Sequence, residues 1–150
     1  MKKIAPNMDL KGKTVAIITS RWNELVTKAL LEGAIETLEP YGVEIVTVSV
    51  SGTWEIPVIA SALIKKQKVD GIVALGCILQ GQTPHAQLLA NDVGAALMGL
   101  QVKKLVPISW GILTPDTEEQ ALSRAGLKHG NKGREAASAV LEQMGLIQVL

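Results

Sequence analysis

His85, one of only two histidines, ends the stretch GCILQGQTPH (76–85), which follows directly on the apolar run GIVALG. Thr is a favoured helix N-cap and Pro suits the first helical position, so Thr83-Pro84 predicts that a helix begins here. The backbone N–H groups around Gln82, Thr83 and His85 would then point outward with the helix dipole behind them, a place for phosphate or another anion. An imidazole in that first turn is positioned to move protons. The plainer alternative is a capped helix with an incidental histidine. A second dense segment, RAGLKHGNKG (124–133), gathers Arg124, Lys128, His129 and Lys132 around glycines and an asparagine. Arg124 and Lys132 are its candidates to meet a phosphate, since a guanidinium matches phosphate oxygens bidentately. Lys128 and His129 fit a solvated loop. The chain has three tryptophans and no phenylalanine. Trp22, Trp54 and Trp110 each fall at the end of a predicted strand, where they either cap the core or line a flat pocket for a planar ring. Neither G-x-G-x-x-G nor a Walker sequence is present, so a dinucleotide or nucleoside triphosphate is not indicated.

The elements that must hold these residues show in alternating periods. Four β-branched runs predict strands: TVAIIT (14–19), VEIVTVSV (43–50), DGIVALG (70–76) and KLVPISW (104–110). The first and third are nearly continuous in apolar residues, as expected of parallel strands covered on both faces. Between them lie helical patterns. Residues 23–41 put Leu25, Ala29, Leu30, Ala34 and Leu38 on one face, and further helices fit 54–68, 84–102, 116–125 and 132–145. Asp116 and Glu119 have capping-box spacing, and Gly126 supplies a stop. Strands alternating with helices at this spacing predict right-handed crossovers and a parallel sheet. The expected fold is therefore a three-layer α/β domain over residues 1–150, with residues 1–13 as an extended N-terminal tail. In such sheets ligands bind outside the carboxyl ends of the strands, where the residues singled out above lie.

Composition narrows the partners. Fifteen Lys and Arg against fourteen Asp and Glu, without a basic stripe, argue against nucleic acid and anionic membrane. The single cysteine, Cys77, excludes an internal disulfide and a Cys-rich zinc site. The N-terminus lacks an apolar signal region and no stretch of about 18 apolar residues follows, so a soluble cytoplasmic protein is expected.

SGTWEIP (51–57), the G-x-x-x-x-G-x-T-P-H pattern (76–85), GILT (111–114) and RAGLKHGNKG (124–133) together resemble the lumazine synthase family, which makes the penultimate intermediate of riboflavin biosynthesis. The resemblance runs over roughly residues 14–145. It implies a flavodoxin-like domain with a four-stranded parallel sheet, assembled as a homopentamer or as a hollow icosahedral shell of twelve pentamers. The site would be shared between neighbours in a pentamer. The implied reaction joins 5-amino-6-(D-ribitylamino)uracil to 3,4-dihydroxy-2-butanone 4-phosphate, releasing phosphate and water, with no metal and no cofactor. Riboflavin synthase is the implied protein partner.

Carried over residue by residue, Trp22 matches the aromatic stacked on the pyrimidine. Thr53, Trp54 and Glu55 match the turn that holds the ribityl chain and ring, with Glu55 accepting hydroxyl hydrogen bonds. Cys77, Ile78 and Leu79 match the ring site, and Trp110 another aromatic of the pocket wall. Gly81, Gln82 and Thr83 match the phosphate turn, and His85 the proton-transfer histidine. Arg124, from the adjacent subunit, matches the phosphate-binding arginine, with Lys132 nearby. The chain departs from the family pattern at four places: Gln80 stands for a usual arginine, Gln87 for an acid, Ala86 for an aromatic and Ser51 for a proline. A flavodoxin-like FMN carrier and a non-catalytic lumazine- or riboflavin-binding shell protein are the alternatives.

Overall fold

The apolar run at residues 14–20 becomes a central strand. A computed structural model describes residues 1–81, 84–126 and 130–150. Strand β1 (Thr14–Ser20) pairs in parallel with β2 (Glu44–Val50) on one side and with β3 (Gly71–Cys77) on the other. Strand β4 (Ile108–Leu113) pairs in parallel with β3, giving the order β2-β1-β3-β4. Val15 lies opposite both Ile45 and Gly71.

Helices α1 (Glu24–Leu38), α2 (Ile56–Gln67), α3 (His85–Lys104), α4 (Glu118–Arg124) and α5 (Lys132–Val149) complete the layers. On one sheet face Ile17, Val73 and Leu75 pack with Leu30 and Leu38 of α1 and Val140 and Leu141 of α5. On the other, Ile18 and Ile72 pack with Ile56 and Ala60 of α2 and Val93 and Leu97 of α3. Every residue of β3 is buried, which is why its sequence runs apolar without alternation. This is the expected three-layer, flavodoxin-like arrangement.

The differences from the sequence reading have local causes. Strand β4 starts at Ile108 rather than at 104 because α3 continues to Lys104 and closes on Leu105 in a left-handed conformation, φ 54°. Pro107, with no N–H, cannot donate to the ladder, although its carbonyl accepts from the Ile72 N–H at 2.9 Å, and the Gln101 side chain accepts from the Ile108 N–H at 3.0 Å. Trp110 consequently stands in the middle of β4 and not at its end. On α1 the buried residues are Val26, Leu30, Ala34 and Leu38, whereas Leu25 is 72% exposed. Leu25 is five residues before Leu30, which turns it away from the face that Val26, four before, shares. Helix α4 is capped by Thr117, not Asp116: its Oγ1 accepts from the Gln120 N–H at 3.2 Å, and Gln120 Oε1 accepts from the Asp116 N–H at 2.9 Å. Gly126, at φ 113°, takes the left-handed backbone that ends this segment. Helix α5 runs to Val149, beyond the expected 145.

Ahead of β1, the Asn7 N–H donates to the Gly145 carbonyl, and Gln148 donates to the carbonyls of Asn7 and Asp9. Leu10 is buried, so this part of the N-terminal segment lies along α5. No helix among the described residues is long and apolar enough to cross a membrane.

Candidate functional site

The chain leaves β1 for β2 on one side and comes back to β3 on the other. The connections therefore diverge above the carboxyl ends of β1 and β3, where an open parallel sheet forms a crevice. A cavity of about 470 Å³ opens there. Trp22 and Asn23 line it from the end of β1, Gly52 to Glu55 from the turn after β2, Cys77 to Leu79 from the end of β3, and Leu89 from α3.

Close packing fixes these turns against one another. Thr53–Glu55 form a single 3₁₀ turn, and the Glu55 N–H donates to the Gly52 carbonyl at 3.2 Å. A Cβ at Gly52 would lie 3.1 Å from Glu55 Oε2 and 3.4 Å from Trp22 Cδ1, so carboxylate and indole both stand over this glycine. A Cβ at Gly76 would sit 2.7 Å from Thr53 Cγ2 and 2.9 Å from Ser20 Oγ. Only glycine lets the ends of β1 and β3 and the turn after β2 meet. Asn23 adopts the left-handed conformation (φ 59°) that asparagine tolerates, and its Nδ2 donates to the Cys77 carbonyl at 3.2 Å. This bond ties one cavity wall to the other. Burial, and then the carboxylate of Glu118, push the Cys77 thiol up to about 11, so at neutral pH it is an uncharged part of the wall.

Trp22 and Trp54 are 72% and 63% exposed, the reverse of what core-capping aromatics would show. Beside a cavity they offer flat surfaces for a planar ring. Trp110 differs. It is half-buried on β4, and a Cβ at Gly94 of α3 would lie 3.7 Å from its Cζ3. Packed on that helix from mid-strand, it does not occupy the strand-end position expected of it.

His85 is the first residue of α3 and exposed, with Pro84 in the N-cap position. Leu89, one turn further along the same helix, lines the cavity, whereas His85 is not among the lining residues. The expectations for Gln82 and Thr83, and those for Lys128 and His129, lie outside the described residues. Gly81 is exposed ahead of the helix, and the Gln80 N–H donates to the Pro115 carbonyl at 3.0 Å. Gln87 donates to Asn91 Oδ1 at 2.9 Å along α3. Arg124, exposed, ends α4, and half-buried Lys132 begins α5. Both lie on helices packed on the α1 side of the sheet, and neither is among the residues lining the cavity. Sequence reasoning missed Asn23, Gly52 and Leu89 as lining residues. The available signal for Asn23 was an asparagine between a strand end and a helix, where a left-handed residue reverses the chain.

The chemistry the lining offers is aromatic stacking, a carboxylate for hydroxyl groups and apolar walls. Residues 12–148 match the family model described as 6,7-dimethyl-8-ribityllumazine synthase. A protein of that name from Buchnera aphidicola subsp. Schizaphis graminum is 40% identical over all of this chain and 97% of its own. Another, from Aquifex aeolicus, is 41% identical over 93% of each chain. The chain belongs to the 6,7-dimethyl-8-ribityllumazine synthase family.

Proposed function

We propose that this chain is a 6,7-dimethyl-8-ribityllumazine synthase, a transferase of riboflavin biosynthesis that condenses 5-amino-6-(D-ribitylamino)uracil with 3,4-dihydroxy-2-butanone 4-phosphate. The observation that carries the reading is the cavity at the switch point, whose lining includes Trp22, Thr53 to Glu55 and Cys77 to Leu79. In this reading Trp22 stacks on the pyrimidine and Glu55 accepts hydrogen bonds from ribityl hydroxyls. Trp54 and Cys77 to Leu79 wall the ring. Gly81, Gln82, Thr83, Arg124 and Lys132 hold the phosphate. The amine attacks the butanone carbonyl and water leaves to give an imine. Phosphate elimination, proton transfer by His85 and ring closure with loss of water then complete the lumazine. Holding two reactants together can by itself supply about 7–11 kcal/mol of barrier reduction, so most of the catalysis is positional. Mixing the protein with both substrates and following lumazine fluorescence tests the proposal. A rate no higher than that of the substrates alone would refute it, and a yellow protein as purified would point instead to an FMN carrier.

The stacking role is tested separately. In a variant carrying Trp54→Tyr and Trp110→Tyr, emission from Trp22 is expected to be quenched as riboflavin or the pyrimidine substrate binds. Binding seen by calorimetry with unchanged emission would place Trp22 away from the ring.

The same reading makes residues 1–150 one cytoplasmic domain and a homopentamer the smallest active unit, assembled further into a 60-subunit icosahedral shell, with riboflavin synthase as a partner. Helix α3 supports the assembly. It buries Ala86, Val93 and Leu97 against the sheet, yet Leu88, Met98 and Val102 on its other side are 55%, 59% and 66% exposed. Such apolar surface is costly on a monomer and suits packing around a symmetry axis. Light scattering is expected to give about 80 kDa for five 15.9 kDa chains, or about 950 kDa for sixty. Full activity at the mass of one chain would end the shared-site argument.

A further inference from the structure

The side chain of Asn131 touches three elements at once. Its Oδ1 accepts from the Arg134 N–H at 3.1 Å, capping α5. Its Nδ2 donates to the Ala125 carbonyl at the end of α4, at 3.2 Å, and to the Ala29 carbonyl of α1, at 3.0 Å. Both amide hydrogens and the amide oxygen are thereby used, a pattern that no carboxylate or hydroxyl can reproduce. A backbone bridge between Ala125 and Asn131 closes the same junction.

Two glycines make room for it. A Cβ at Gly133 would lie 2.0 Å from the Leu30 carbonyl oxygen, so α5 can approach α1 only without one. A Cβ at Gly33 would lie 2.6 Å from Asn131 Oδ1 and 2.7 Å from its Nδ2, inside the space the amide fills. The residue before Ala125 is Arg124 and the residue after Asn131 is Lys132. Fixing Ala125 to Asn131 therefore sets where these two cations stand relative to each other and to α1.

We infer that Asn131 is the positioning residue of the phosphate-binding cations: it touches no substrate, but its amide sets the stance of Arg124 and Lys132. The inference rests on the functional reading above, with Arg124 meeting the substrate phosphate. Guanidinium recognition of phosphate is directional, so a displaced backbone costs affinity even with the charge retained.

Asn131→Ser is the informative variant, because serine still caps α5 but cannot reach Ala125 and Ala29. Its KM for butanone phosphate is expected to rise about tenfold, the scale of a few lost hydrogen bonds, with riboflavin binding within about twofold of wild type. Because Asn131 acts through Arg124 and Lys132, adding Asn131→Ser to Arg124→Ala should cost clearly less than Asn131→Ser costs alone, the remainder coming through Lys132. Gly33→Ala, which crowds the amide without altering it, should give the same selective loss and serves if Asn131→Ser does not fold. Wild-type protein that makes no lumazine would sink the functional reading itself. With an active wild type, equal weakening of both ligands, an unchanged KM, or additive effects in the double variant would overturn the role of Asn131.

Discussion

Replacing His85 by alanine is expected to lower turnover by about ten- to a thousandfold, with much smaller changes in KM. His85 opens α3 one turn before Leu89, which lines the cavity. A positioned acid–base group contributes about 10²–10⁴-fold in general. The effect here is placed lower because the substrate brings its own amine nucleophile and positioning by the cavity survives the substitution. Gln87, two residues on, donates to Asn91 along the helix, so His85 is expected to work without a carboxylate at that position. Steady-state rates of the variant, measured against pH, decide the matter. Turnover equal to wild type would remove His85 from the mechanism.

Arg124→Ala is expected to raise the KM for butanone phosphate about ten- to a hundredfold, the scale of a lost charge-assisted contact. The ribitylaminouracil lacks phosphate, so its binding should hardly move. Arg124 is exposed at the last position of α4 and Ala125 behind it is buried, so truncation removes a guanidinium without opening the core. Lysine at this position should recover part of the loss, since it restores charge without the fork. Equal weakening of both substrates would assign Arg124 to structure instead.

Much of the fold was legible because its strongest signals are local. The nearly continuous apolar runs at 14–19 and 70–76 became β1 and β3 within a residue at each end. Strand β4 was misplaced because Leu105 and Val106 look like strand residues, while the cause of the shift is the end of α3 and the missing N–H of Pro107. Leu25 was put on the wrong face because hydrophobicity alone does not say which of two adjacent residues, Leu25 or Val26, meets the sheet. The candidate site was legible in its strand-end positions. What sequence could not show was contact across it: the Asn23 amide on the Cys77 carbonyl and the methyl of Thr53 over Gly76 join residues far apart in the chain. Trp110 shows the converse. A residue type was given a role from its apparent strand end, and a shift of a few residues in that strand moved it onto α3.

The sheet order has a consequence in time. Strand β1 is synthesised first, yet its partners Ile45 and Gly71 arrive only after α1 and then α2 have been made. Parallel pairings across such crossovers are slow to form, and until β3 appears β1, buried over nearly all its length in the finished fold, has one edge open to wrong partners. The crevice lies over the seam between these two strands, with Trp22 following one and Cys77 ending the other. Its walls therefore come together only when the central pairing closes. During refolding, regained activity should lag behind regained helix and mark completion of the sheet.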